Sequence, residues 1–363
     1  MEAVEAILQL SDKKISSIIG DPAKTAAAIN LIYLHDTQPG IKRIKRGGSF
    51  KYIKEEAEKV TAQNELQRIK SLVIPPAWEN VWICTLENGH LQATGMDIKK
   101  RKQYRYHTLW NSLRNHTKYY RLHQFGNALP AIRLQVEKDL SLPGLPLEKV
   151  LALIVSLMER TNIRVGNNAY QKLYGSFGIT TLKDKHVQFN GNAVKFTFKG
   201  KKGVHHAISL KNKKLSSLVK KCRDIPGKEL FQYYTEEGGH KSVDSGMVND
   251  YIKKLSGGDF TAKDFRTWSG TVLAFAAFKE LGFFDTEAEA KKKIVAALDK
   301  VSAQLGNTRT VCKKYYVHPV ILSLYESKVL EKYIRQIDTI EVDDGKSGLT
   351  AGEQVVMKIL ESN

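Results

Sequence analysis

Toward its C-terminal end the chain runs Leu305-Gly306-Asn307-Thr308-Arg309-Thr310-Val311-Cys312-Lys313-Lys314-Tyr315-Tyr316-Val317-His318-Pro319, with two tyrosines beside two lysines shortly after a glycine. A tyrosine hydroxyl, with a pKa near about 10, is a poor nucleophile at neutral pH unless nearby charge favours its anion. Three cations upstream could supply that charge: Arg164 in Arg160-Thr161-Asn162-Ile163-Arg164-Val165-Gly166-Asn167, Lys201 in Phe198-Lys199-Gly200-Lys201-Lys202-Gly203, and Arg266 in Lys263-Asp264-Phe265-Arg266-Thr267-Trp268. Arginine stays charged and offers two parallel donors to a phosphate. Cleaving a phosphodiester builds charge on the non-bridging oxygens, and fixed donors aimed there lower the barrier. A lysine ammonium that reaches the leaving oxygen can protonate it. The four residues together form a phosphodiester-cleaving set. Each alone has a plainer reading: a structural salt bridge for the arginines, a solvated turn for the lysine, a core position for a tyrosine. Tyr315 and Tyr316 compete for the nucleophile, and spacing does not separate neighbours.

The elements that must carry these residues follow from periodicity. Leu147 to Met158 is apolar on nearly every side and predicts a buried helix ending just before Arg164. His186 to Phe189, Ala193 to Phe198 and Val204 to Leu210 read as three short strands, the first turn marked by Asn190-Gly191, with Lys201 at the tip of the second turn. Thr261 with Asp264 resembles a capping box ahead of a helix over Phe265 to Leu281 that holds Arg266. Thr286 caps a helix that stops at Gly306, and Pro319 opens another through about Gln336. Earlier in the chain, Val81 to Leu86 is a strand, and Glu87-Asn88-Gly89-His90 turns into Leu91-Gln92-Ala93. The predicted organisation is an extension over 1–40, mostly helical and ending at Pro39-Gly40; a β-rich domain over 41–111; a mainly helical domain over 112–337; and an acidic tail over 338–363, either mobile or folded back on basic surface.

Of 363 residues, 57 are Lys or Arg and 38 Asp or Glu, a formal net charge of +19 that favours a polyanionic partner. The cations cluster at Lys42-Arg43-Lys45-Arg46, at Lys99 to Arg105 and at Lys199-Lys201-Lys202. Cys84, Cys222 and Cys312 have neither disulfide-framework nor zinc spacing and fit a reducing cytoplasm. His186, His318 and the pair His205-His206 lack metal-ligand spacing and read as structural. Residues 1–10 contain no continuous apolar core of a secretory signal, and no apolar stretch of about 18 residues predicts a membrane span. No GxxxxGK[ST] phosphate loop is present.

In order, Arg-Val-Gly-Asn, Phe-Lys-Gly-Lys, Lys-Asp-Phe-Arg-Thr-Trp, Leu-Gly-Asn-Thr and Lys-Lys-Tyr-Tyr-Val-His-Pro resemble the type IB DNA topoisomerases, in particular the short poxvirus-like enzymes of bacteria. The similarity runs from about Pro39 to Ile337. It implies an α+β fold, a small β-rich domain plus a larger, tyrosine-recombinase-like helical catalytic domain with an inserted hairpin sheet. It implies ATP- and metal-independent relaxation of duplex DNA, without cofactor, by a monomer clamped around its substrate in the bacterial cytoplasm. It assigns Tyr316, the tyrosine directly before Val-His-Pro, as the nucleophile that forms a 3′-phosphotyrosyl link. Arg164 and Arg266 become transition-state donors and Lys201 the general acid to the 5′-oxygen. Asn307 stands where the poxvirus enzymes have histidine; an amide can donate to a phosphate oxygen but cannot become cationic. Arg309 replaces a common proline and would touch phosphate or solvent. The resemblance also marks Gln103, Tyr104 and Tyr106 in Arg101 to His107, together with Tyr170 and Lys263, as DNA-contacting. Two rivals share parts of the pattern: a site-specific tyrosine recombinase, and a basic DNA-binding protein with no catalysis.

Overall fold

The computed structural model describes residues 21–55, 58–98, 100–337 and 347–362. The chain divides into two compact units, Met1–Tyr120 and Arg121–Asn363.

In the first unit, the pleat of alternating side chains builds a five-stranded antiparallel sheet. Its strands are β1 (Ile41–Arg46), β2 (Ser49–Ile53), β3 (Glu79–Ile83), β4 (Leu91–Met96) and β5 (Lys102–Tyr106), in the order β2-β1-β3-β4-β5. Ile41, Val81, Ile83 and Ala93 bury one face against Ile69 of helix α2 (Gln63–Ser71). Among the described residues, the extension expected to be helical is so over α1 (Pro22–Ala27), capped by Asp21, whose Oδ1 accepts from the Ala23 and Lys24 N–H groups at 3.0 and 3.1 Å. Asn30 then takes a left-handed φ of 57°, and Ile32 bridges to Gly89 instead. β-Branched and aromatic residues, followed by Pro39-Gly40, favour extended chain over a longer helix. Residues 1–20 of that extension lie outside the described residues. Helix α3 (Thr108–Asp139) spans the division between the units.

The second unit is organised around α4 (Leu147–Thr161), buried on almost every side as its composition requires. Around it pack α6 (Lys213–Arg223), α7 (Ser245–Ser256) and α8 (Ala262–Leu281). The short α5 (Asn168–Tyr174) precedes a three-stranded antiparallel sheet of β6 (Val187–Asn190), β7 (Ala193–Lys199) and β8 (His205–Lys211). A small pair, β9 (Gln232–Tyr234) with β10 (His240–Ser242), follows. The capping interaction expected before α8 is present: the Thr261 N–H and hydroxyl donate to Asp264 Oδ2 at 2.8 and 2.9 Å. Helix α9 (Glu287–Leu305) begins at Thr286 and ends where Gly306 turns left-handed at φ 58°. Helix α10 (Arg309–Tyr315) leads to Tyr316. The single helix expected from Pro319 to Gln336 is two, α11 (Pro319–Glu326) and α12 (Leu330–Gln336), because Lys328 adopts φ 62° between them.

The last described segment belongs to the core of this unit. Helix α13 (Ala351–Ser362) buries Val355, Val356 and Ile359. Its acidity is used at one point. Glu353, 6% exposed, accepts from Arg133 at 2.8 and 3.0 Å, from Trp268 Nε1 at 2.9 Å and from the Thr350 N–H at 2.9 Å. Trp268 lies two residues beyond Arg266, so the brace bears on the helix that carries a candidate catalytic residue. Among the described residues, no helix is long and apolar enough to cross a membrane.

Burial alone would raise the Glu353 pKa, but the Arg133 guanidinium, Trp268 and the Thr350 N–H outweigh it and hold the carboxyl below its ordinary 4.5. A depressed carboxylate contributes stability that is complete above the unfolded pKa and lost as pH falls through the folded one. Glu353→Ala, which leaves Arg133 with Glu159 as its remaining carboxylate, should cost about 1–3 kcal/mol in denaturant unfolding at pH 7. The stability gap between wild type and Glu353→Gln should narrow once pH drops below 4.5; a gap independent of pH would refute the ion pair's contribution.

Candidate active site

Three of the five residues expected to act together meet at one turn, Leu305–Asn307, at the C-terminal end of α9, with Tyr316 beside one of them. A helix end leaves carbonyl oxygens without partners inside the helix, and cations are favoured there. Arg266, in the second turn of α8 and 6% exposed, donates to the Leu305 carbonyl at 2.8 Å and to the Asn162 carbonyl. Arg164 donates to the Gly306 carbonyl at 3.2 Å and to Asn307 Oδ1. Arg164 is set in place where Asn162 ends α4 in a left-handed C-cap, and where the Arg164 and Val165 carbonyls accept from Ile179 and Thr180 N–H groups at 2.8 Å each.

Among the described residues neither guanidinium meets a carboxylate. Burial pushes the Arg164 pKa down to about 10, and repulsion from Arg266 adds to the effect. Burial also lowers Arg266, opposed by its charge interaction and hydrogen bond with Tyr316. A buried and a half-buried cation paired only with dipoles leave positive charge uncompensated, which is an anion site. Among the described residues two buried donor atoms are moreover unpartnered: Arg266 Nε and Asn307 Nδ2. Arginine can only donate, so Arg164 must face Asn307 Oδ1; that fixes the amide and leaves Nδ2 as its open donor.

Tyr316 stands beside this pair. Its ring lies 5.2 Å from the Arg266 Cζ. The spacing on α8 accounts for this, since Arg266 and Gly270 are one turn apart on one face. A Cβ at Gly270 would come within 2.6 Å of the Tyr316 carbonyl oxygen, so only glycine lets the backbone around Tyr316 approach α8 this closely. Thr271 Oγ1 accepts from the His318 N–H at 3.1 Å and secures the chain beyond it. Tyr315 instead is 41% exposed, with Lys314 over its ring. The geometry thus separates two tyrosines that spacing could not.

Lys201 is exposed at the tip between β7 and β8, in the single 3-10 turn Lys201–Gly203, and is the fifth residue of the set. Tyr170 is exposed on α5, its ring 5.6 Å from Tyr174, and Lys263 is exposed in the first turn of α8. In the other unit, Gln103, Tyr104 and Tyr106 lie on β5. Tyr104 is exposed and stacked on Tyr106 at 5.9 Å, whereas Tyr106 packs partly into the core. Arg309 is exposed, in line with one of its two readings, and its Nε and Nη2 donate to Asp299 at 2.7 and 2.8 Å in a bidentate pair. Cys312 is buried, its thiol pushed up to about 11, which leaves it inert as a nucleophile at neutral pH. His318 and His186 are structural as expected, accepting at Nδ1 from Val320 and Lys183 N–H groups. Among the described residues no three His, Cys, Asp or Glu side chains gather as a metal site.

One residue escaped the sequence reading, and another was read there only as structural. Asp97 Oδ2 accepts from Gln103 Nε2 at 3.0 Å and from Arg101 Nε at 2.7 Å, tying both to one carboxylate. His206 packs against Gly306, beside Arg164 and Arg266. Neither sits in a motif; a hairpin register placing residue 206 opposite Phe198 was the only available signal.

Residues 100–342 match the family described as eukaryotic DNA topoisomerase I, catalytic core, and residues 49–97 the family described as bacterial DNA topoisomerase IB, N-terminal domain. The chain is 32% identical over 295 residues to the DNA topoisomerase 1B of Acanthamoeba polyphaga mimivirus, covering 79% of this chain and 88% of that protein. It is 24% identical over 236 residues to the DNA topoisomerase I of monkeypox virus and to the DNA topoisomerase 1B of vaccinia virus (strain Copenhagen), covering 64% of this chain and 72% of each viral protein. With both units matched and Arg164, Lys201, Arg266, Asn307 and Tyr316 all inside the catalytic-core match, the chain belongs to the type IB DNA topoisomerases, isomerases that relax supercoiled DNA.

Proposed function

We propose that relaxation proceeds through a covalent phosphotyrosyl intermediate, with no call on ATP or a metal ion. The Tyr316 Oη attacks the scissile phosphorus and gives up its proton to water. A bond forms from Tyr316 Oη to phosphorus, and the bond from phosphorus to the 5′-oxygen breaks. Lys201 protonates the departing 5′-oxygen, leaving a free 5′-hydroxyl and a 3′-phosphotyrosyl end. The phosphoester energy is retained in the new bond, so the strand can rotate and the 5′-hydroxyl can then reverse the reaction.

The observation that carries this reading is the anion site beside Tyr316: among the described residues, a buried and a half-buried guanidinium without a carboxylate, and open donors at Arg266 Nε and Asn307 Nδ2. A phosphate whose charge grows in the transition state is the ligand such fixed donors favour most. Arg164 and Arg266 serve the non-bridging oxygens, with Asn307 adding one neutral donor. Gln103, Tyr104, Tyr106, Tyr170 and Lys263 hold the duplex, in keeping with their positions on exposed or edge elements. The enzyme acts as a monomer clamped around DNA on the bacterial chromosome, and phosphate contacts dominate its affinity, so binding weakens steeply with salt.

Tyr316→Phe should bind duplex DNA like the wild type yet form no covalent adduct and relax no plasmid in EDTA without ATP; relaxation by this variant would overturn the assignment. Arg164→Ala and Arg266→Ala should slow single-turnover cleavage by about 10²–10³-fold each. Asn307→Ala should lose activity and Asn307→His should regain most of it, and only the histidine variant should add a titration near neutral pH to its rate profile. Lys201→Ala should be slow on an ordinary strand and restored by a substrate with sulfur at the bridging 5′ position, because a thiolate leaves without a proton. Absence of that rescue would remove Lys201 from the acid role. Relaxation of unrelated plasmids at concentrations where the protein is monomeric distinguishes the enzyme from a site-specific recombinase.

A further inference from the structure

His206 is opposite Phe198 in the β7–β8 register, its ring stacked on the phenyl ring with centroids 4.9 Å apart and planes at 20°. Its remaining neighbours include two glycines far apart in sequence. A Cβ built on Gly200 would fall 2.6 Å from the imidazole Cδ2 and Nε2, and one built on Gly306 would fall 2.3 Å from Cε1. Gly200 directly precedes Lys201, and Gly306 directly precedes Asn307. The imidazole therefore fills the gap between the hairpin that carries the lysine and the turn that carries the amide. At Gly306 a φ of 58° excludes most other residues as well.

Among the described residues the ring makes no hydrogen bond, so its role is that of a flat spacer. Burial, then the charges of Arg164 and Arg266, keep it neutral. The turn beneath it is independently held, since the two arginines take the Leu305 and Gly306 carbonyls and Asn307 Oδ1. Removing the ring would release the hairpin and leave the turn in place.

We infer that His206 is a positioning residue: its imidazole seats the Lys201 hairpin against the Gly306–Asn307 turn and so sets the reach of the Lys201 ammonium to the leaving 5′-oxygen. The inference rests on the general-acid reading of Lys201. Displacing a catalytic group by about 1 Å can cost up to about 10²-fold in rate.

The test is single-turnover cleavage of one duplex, with either oxygen or sulfur at the bridging 5′ position, by the full-length wild type and by His206→Ala, His206→Phe, Gly200→Ala and Lys201→Ala. His206→Ala should cleave the oxygen substrate roughly ten- to a hundred-fold more slowly, yet match wild type on the sulfur substrate. His206→Phe, which keeps a flat ring, should recover most of the oxygen rate. Gly200→Ala, whose added Cβ pushes the ring aside, should repeat the His206→Ala pattern and serves if that protein fails to fold. If Lys201→Ala is rescued by sulfur while His206→Ala or Gly200→Ala stays equally slow on both substrates, the ring is only filler and the inference fails. A wild-type rate for His206→Ala on the oxygen substrate also overturns it. If sulfur does not rescue Lys201→Ala, the acid assignment falls, and the inference with it.

Discussion

Two adjacent arginines, one buried and one half-buried, with no acid partner among the described residues are the constraint on which the second unit depends. Desolvating a guanidinium is costly, and an ordinary protein offsets that cost with a carboxylate. Here a carboxylate would neutralise the charge that substrate must meet. The fold uses backbone carbonyls instead. The end of α9 exposes the Leu305 and Gly306 oxygens, the end of α4 exposes Asn162, and Arg164 and Arg266 reach these three acceptors and the Asn307 side chain. Dipoles satisfy hydrogen-bonding geometry while leaving the net charge intact, so the site is structurally content and electrostatically unfinished.

That arrangement requires four separate pieces of chain to meet at one turn. Helix α4 delivers Arg164, α8 delivers Arg266, α9 delivers the turn and α10 delivers Tyr316. The apolar composition of α4 lets it lie at the centre, and α13 locks α8 from the far side through Glu353 and Trp268. The carboxylate that the anion site must avoid is thus used one shell further out, where Arg133 balances it. A helix from the C-terminal end, read from composition alone as an acidic tail, is part of the support for the reactive arginine.

The first unit follows a related rule at smaller scale. Arg43, within a run that reads as solvated positive charge, spends its donors on the carbonyls of Ile74, Pro75 and Trp78 at 3.3, 3.0 and 2.7 Å. Asp97 gathers Arg101 and Gln103 onto one carboxylate. Cationic clusters in the sequence are therefore divided between structural ties and surface charge, and only three-dimensional neighbours assign each residue to one or the other.

The sequence by itself determined which residues stand as candidates, because each sits in a local context with a strong physical signature: an all-round apolar helix before Arg164, a glycine-bounded hairpin tip at Lys201, a capping box before Arg266, a glycine stop before Asn307. Such signals are short-range and survive without a fold. Tertiary structure alone decided the rest. It set Tyr316 beside Arg266 through the close approach at Gly270, and left Tyr315 exposed. It gave Arg309 to Asp299, broke the helix after Pro319 at Lys328 and set α13 into the core. It packed His206, one of several histidines that read as structural, against Gly200 and Gly306. Each of these outcomes depends on contacts between residues distant in the chain, and pattern along one strand or helix carries no record of what will pack against it.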